Sequence, residues 1–95
     1  MIKSRLNAKL ERIVEISKRY GARKVILFGS FLEDALKAND IDIAISGIPD
    51  KDFFKYYGQI SMEIDDVDVV DLNDLPEHFY QRVMSKGRVL YDRKN

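Results

Sequence analysis

Cysteine and tryptophan are absent, proline occurs twice and histidine once. Without cysteine there can be no disulfide, no thiolate metal ligand and no cysteine nucleophile. No apolar run approaches the roughly 20 residues that span a bilayer, and no basic-then-apolar leader opens the chain. The expectation is therefore a cytoplasmic protein with no membrane partner. An excess of one charge is missing too: 16 Lys and Arg balance 16 Asp and Glu. That balance speaks against a general nucleic-acid binder, which carries a dominant basic face. What is present is 95 residues, 45% apolar and 34% charged. This composition predicts one soluble, globular domain over residues 1–95, long enough to bury roughly 60–68% of its unfolded surface. No repeat, low-complexity tract or linker interrupts it.

The charge is nonetheless uneven. Residues 1–24 hold eight basic side chains against Glu11 and Glu15, and Glu63 to Asp74 hold six acids with no Lys or Arg. An acidic centre between basic ends suits a metal-filled carboxylate site or a charged docking face. Solvated helix faces would explain the N-terminal basics equally well.

Val25-Ile26-Leu27-Phe28 is a short apolar run, β-branched at its start, which predicts a buried strand. Gly29 lets the backbone turn sharply and lets a ligand approach. Ser30 stands where a helix would begin. A strand, Gly-Ser, helix junction offers free backbone N–H groups and the positive end of a helix dipole to a phosphate. The plainer alternative is that Ser30 and Glu33 form a capping box whose work is to start the helix.

The second apolar run opens with carboxylates, Asp40-Ile41-Asp42-Ile43-Ala44-Ile45. In a strand, residues two apart share a face, so Ile41, Ile43 and Ile45 point one way and Asp40, Asp42, Ala44 and Ser46 the other. Two adjacent like charges are costly unless a cation sits between them. Hard oxygen ligands of this kind suit Mg²⁺ with substrate phosphates and water; a solvated pair of turn aspartates is the bland alternative. A third acid sits in Val67-Asp68-Val69-Val70-Asp71-Leu72, where Asp68 shares a face with Val70 and Leu72. An acid inside an apolar strand runs against β propensity. Should the two strands be neighbours, three carboxylates converge, enough for a two-metal clamp.

The remaining elements follow from periodicity. A helix is predicted over about residues 3–20, with Leu6, Leu10, Ile13, Val14, Ile16 and Tyr20 as its apolar stripe and Gly21 as its stop. A short helix is predicted over about 31–38, with Phe31, Ala35 and Leu36 inward. A third runs over about 50–63, its stripe read as Phe53, Phe54, Tyr57, Ile60 and Ile64, with Tyr56 as a residue that could line a base pocket. Asp74, Pro76 and Glu77 mark a last helix start, with Phe79, Tyr80 and Val83 inward and Gly87 as the end. His78 falls on the exposed face of that helix, with no visible partner as a base. Arg88 to Tyr91 is a closing strand. The order α-β-α-β-α-β-α-β predicts an α/β (α+β) sandwich of a small sheet against helices. The strand directions stay open.

Gly29-Ser30, Asp40-x-Asp42 and the later strand acid Asp68 resemble the signature of the polymerase-β-type nucleotidyltransferases. The small size is similar to the minimal nucleotidyltransferases (MNT), the antitoxin half of HEPN/MNT toxin–antitoxin pairs. Leu75-Pro76 and Gly87-Arg88-Val89-Leu90-Tyr91 look familial as well, so the resemblance runs through nearly the whole chain. It implies a mixed sheet with the three aspartates on one exposed face. One departure stands out. Nine residues, Phe31 to Asn39, separate Ser30 from Asp40, one fewer than is usual in such proteins. Glu33 and Asp34 stand where an Arg-Gly pair is common.

The activity implied by the resemblance is transfer of a nucleoside monophosphate. Gly29 and Ser30 would bind the terminal phosphates of ATP or another nucleoside triphosphate. Asp40 and Asp42 would ligate Mg²⁺, as two ions, and Asp68 would share the second ion and help deprotonate an acceptor hydroxyl. The implied partner is a HEPN-domain protein whose tyrosine receives AMP; self-association is left open. A rival reading from another class is an MNT-fold antitoxin that neutralises its HEPN partner by binding alone. Glu33 and Asp34 favour it, since they compete with a phosphate for the same N–H groups. A receiver-like phosphoacceptor domain would need a late strand-end lysine, and none lies between Lys55 and Lys86.

Overall fold

A computed structural model describes residues 2–29 and 41–93, with backbone alone for 2–6. The helix expected over about 31–38, together with Ser30 and Asp40, lies outside the described residues.

The first helix, α1, spans Ile2–Arg19. No Gly or Pro interrupts it, and Leu10, Ile13 and Ile16 recur on one buried face. Its end is a Schellman turn. Ala22 N–H donates to Ser17 O at 2.9 Å and Gly21 N–H to Lys18 O at 3.0 Å. Gly21 takes φ +91, a left-handed conformation that glycine adopts without a Cβ penalty.

Strand β1 covers Lys24–Phe28 and β2 covers Ile41–Ser46. Helix α2, Asp50–Glu63, follows, with Asp50 and Asp52 in its first turn where the dipole favours acids. It leads to β3, Val67–Asp71. A short 3-10 turn at Leu72–Asp74 precedes α3, Glu77–Lys86, and β4, Arg88–Asp92, closes the chain.

The sheet order is β3-β2-β1-β4. β1 pairs antiparallel with both β2 and β4, and β2 pairs parallel with β3. The sheet is therefore mixed. Parallel pairing is what a strand, helix, strand unit demands, because the chain must cross back along α2 before β3 can start.

Alternation divides the core in two. Val25 and Leu27 of β1, Ile41, Ile43 and Ile45 of β2 and Val69 of β3 face α1 and α2. Ile26, Ala44 and Val70 emerge on the other face, where Leu72 and Val83 meet them. The predicted division of β2 into an isoleucine face and an aspartate–alanine face is the observed one.

Two expectations about α2 are corrected. Phe54 is not part of the buried stripe; it is 88% exposed. Tyr56 does not line a base pocket; it is fully buried among the helices. Its hydroxyl shares a 2.7 Å hydrogen bond with Ser17 Oγ, which also donates to Ile13 O. The buried face runs through 53, 56, 57, 60 and 64, so an aromatic at 54 points away from it. The start of α3 also differs. Asp74 ends the 3-10 turn, and Pro76 precedes the first helical residue, Glu77. The carboxylate that does cap is Asp71, accepting from Asn73 N–H at 2.9 Å.

Candidate active site

The β2–β3 register sets Asp42 beside Asp68 as Cα partners. Parallel strands in register present paired side chains on the same face. Asp68 sits with Val70, and Asp42 with Ala44, on the sheet face opposite α1 and α2. The chain thus brings together two of the three acids singled out from the sequence. The third, Asp40, lies outside the described residues.

Gly29 belongs to the same place. Phe28 is the antiparallel partner of Asp42, so the turn after β1 leaves the sheet next to that carboxylate. A Cβ on Gly29 would run into Asp42 Oδ2, and the residue holds φ +86. Both the conformation and the space require glycine here. The backbone therefore closes directly onto an acid, with no side chain between them.

These residues open on a cleft of about 780 Å³ lying between the sheet and α3, within the size range of small-ligand sites. Gly29, Asp42 and Asp68 form one side. His78, Arg82 and Lys86 of α3 form another, with Phe28 and Phe79 between. The two phenyl rings meet edge to face, centroids 6.0 Å apart. His78 is exposed, as expected, but it stands on the rim of the cleft rather than on a remote surface.

Asp68 is exposed and accepts a 3.0 Å hydrogen bond from the Tyr57 hydroxyl of α2. Burial pushes the Tyr57 hydroxyl above its ordinary pKa, and the bond to the Asp68 carboxylate pushes it further the same way. Tyr57 thus stays a proton donor and fixes one Asp68 oxygen. The role of Tyr57 was not read from the sequence, where it counted as core.

Among the described residues no group of three or more His, Cys, Asp or Glu side chains could hold a metal ion. Asp42 and Asp68 supply two carboxylates. Their donor chemistry fits a hard divalent cation such as Mg²⁺, which one or two carboxylates plus phosphate oxygens commonly hold.

Residues 11–95 match the family model described as polymerase beta nucleotidyltransferase. The chain belongs to the polymerase-β-type nucleotidyltransferases. No curated protein sequence matches it. Solved structures with the nucleotidyltransferase fold do. A toxin–antitoxin crystal structure with AMP-PNP matches at 24% identity over 90% of this chain and 74% of that one, with a TM-score of 0.73. A re-refined complex of a tri-AMPylated Shewanella oneidensis HEPN toxin with its MNT antitoxin matches at 23% identity, over 90% and 71% of the two chains, with a TM-score of 0.70. The toxin–antitoxin MntA-HepT matches at 22% identity, over 90% and 72%, with a TM-score of 0.69. Likenesses at this level of identity speak to the fold. The resemblance read from Gly29-Ser30, Asp40-x-Asp42 and Asp68 is borne out at the level of family and fold.

Among the residues lining the cleft, sequence reasoning did not single out Arg82 and Lys86. A signal was present: His78, Arg82 and Lys86 recur every four residues, which places them on one side of a helix.

Proposed function

We propose that residues 1–95 form one Mg²⁺-dependent nucleotidyltransferase domain. It transfers a nucleoside monophosphate, AMP from ATP, to a hydroxyl of a partner protein in the cytoplasm. The acceptor would be a tyrosine of a HEPN toxin, making this chain the MNT-type antitoxin. The observation that carries the reading is the register pairing of Asp42 with Asp68 on the same cleft as Gly29. That the toxin–antitoxin structures with AMP-PNP and with an AMPylated HEPN toxin share the fold supports the choice of nucleotide and acceptor.

In this reading Asp42 and Asp68, with Asp40, hold Mg²⁺. The ion would supply charge neutralisation at the phosphates and lower the pKa of a bound hydroxyl. The chain's own residues do the rest. Gly29, which has no side chain to stand in the way, would let backbone N–H groups approach the terminal phosphates, and Ser30 would bind them beside it. Asp68, held through one oxygen by Tyr57, would both share the ion and help take up the acceptor proton. The acceptor oxygen bonds to the α-phosphorus as the bond to the β-phosphate bridging oxygen breaks. Pyrophosphate leaves, and the proton passes to the carboxylate and then to solvent. Positioning and electrostatics carry such a transfer, with little covalent work for the protein.

The test is incubation with α-labelled ATP, Mg²⁺ and the product of the neighbouring gene. Label is expected on the partner, and Asp42→Ala should abolish it. Absence of transfer, with a tight complex that Asp42→Ala leaves unchanged, would instead establish neutralisation by binding alone. Glu33 and Asp34, two acids shortly after Ser30 in sequence, are the observation favouring that second reading.

A further inference from the structure

The cleft has an acidic side and a basic side, and the basic side has no assigned work. Arg82 and Lys86 are one helical turn apart on α3 and both line the cleft opposite Asp42 and Asp68. Both are exposed. Among the described residues neither joins an ion pair; the pairs present there are those of Arg12 with Glu15 and Glu63. The polar face of a structural helix needs no such alignment, and this one points its cations at the one described cavity that also holds both in-register carboxylates.

We propose that Arg82 and Lys86 form a polyphosphate-binding wall, which holds the β- and γ-phosphates of the nucleotide and then the departing pyrophosphate. The proposal rests on the nucleotidyltransferase reading above and adds two side-chain partners for the terminal phosphates that it gives to Gly29 and Ser30.

The physical case is one of charge. A nucleoside triphosphate entering this cleft meets Asp42 and Asp68, whose negative charge opposes its own. Negative charge developing on the leaving pyrophosphate needs fixed positive partners in the cleft wall. Arg offers a planar fork that matches phosphate oxygens two at a time, and Lys a mobile point charge. Successive positions four apart on a helix are about 6 Å apart along its axis, so the two cations can address different phosphates of one chain. Lys86 also lies in the last turn of α3, where the helix dipole favours a cation. The apolar floor made by Val70 and Val83 lowers the local dielectric and strengthens each contact.

The test compares binding of ATP and AMP, with Mg²⁺, to the full chain by titration calorimetry. AMP lacks the phosphates that this wall would hold. Arg82→Ala/Lys86→Ala is expected to weaken ATP at least tenfold while AMP changes less than twofold. The salt dependence of ATP binding should become shallower as two phosphate contacts are lost. Both residues are exposed, so the variant should keep the melting temperature of the parent. Arg82→Lys/Lys86→Arg should recover most of the ATP affinity. ATP affinity within twofold of the parent, or an equal loss for AMP and ATP, would overturn the proposal. Asp42→Ala separates the two readings. If it weakens Mg²⁺-dependent ATP binding and the α3 variant does not, the basic wall fails and the active-site reading stands. If the unsubstituted chain binds no ATP, both fall together.

Discussion

Asp42 and Asp68 are register partners across the parallel β2–β3 pair, and both border the cleft that Gly29 enters. The two acids are therefore held by neighbouring backbones rather than by flexible loops. Replacing either with Asn keeps the shape, and at position 68 an acceptor for Tyr57, but removes the charge that a cation needs. Mg²⁺ with ATP at about 100 times its Kd should stabilise the unsubstituted chain by about 2.7 kcal/mol. Asp42→Asn and Asp68→Asn should each lose most of that gain, read as the shift of Tm on adding Mg²⁺ and ATP.

Gly29→Ala should be destabilising and should damage the site at once. Its φ of +86 strains any Cβ-bearing residue, and the added methyl meets the Asp42 carboxylate. A cost of about 1–3 kcal/mol in urea unfolding is expected. The Mg²⁺-ATP stabilisation should fall with it, because Asp42 has to move aside.

Tyr56 makes stability fall in strong alkali. Burial raises its pKa from 10.0 to about 12, with the Ser17 hydrogen bond opposing in part. The folded state then keeps a proton that the unfolded state has given up. The contribution is complete below pH 10 and is lost as pH rises through 10 to about 12, on the order of 2–3 kcal/mol. Tyr56→Phe should remove this pH dependence and cost about 1 kcal/mol at pH 7 for the lost hydrogen bond. Urea titrations of both proteins at pH 9 and pH 12 test it.

Neighbouring aromatics on α2 should behave oppositely. Phe54 is exposed and Tyr56 is fully buried. Phe54→Ser should change stability by less than about 0.5 kcal/mol, whereas Tyr56→Ala should cost roughly 3–5 kcal/mol through the cavity it leaves. Equal effects in chemical denaturation would contradict the assignment of the buried face.

Much of the architecture was legible because the apolar runs are clean. The bounds of β1 and of α2 and the two faces of β2 follow from periods of 2 and 3.6, whereas the common face of Asp42 and Asp68 depends on the β2–β3 pairing, which periodicity leaves open. The sheet order was not legible. β1 neighbours β4 through contacts that join the two ends of the chain, and local pattern carries no information about them. Tyr56 was misplaced for a similar reason. Four aromatics stand at 53, 54, 56 and 57, so composition cannot say which side of the helix is inside. What decides it is Ser17 on another helix, a hydroxyl that gives the buried phenol a partner. On α3 the apolar positions carry the helical signal, and the four-residue repeat of His78, Arg82 and Lys86 looks like an ordinary solvated face until the cleft beside it is seen. Asp74 looked like a helix start because Pro76 and Glu77 follow it, but Asp71 already caps the backbone one step earlier.

The β2–β3 pairing also makes the site hereditary with the core. Ile43 and Val69 are register partners directly after Asp42 and Asp68, and both are buried. Sliding one strand by a single residue would turn Asp68 inward among isoleucines and expel Val69 to water. Mutational drift can thus erode the chemistry by changing an acid, but it cannot quietly pull the two acids out of alignment while the fold survives. Descendants of this chain should lose either acid by substitution, with the geometry left behind as a fossil.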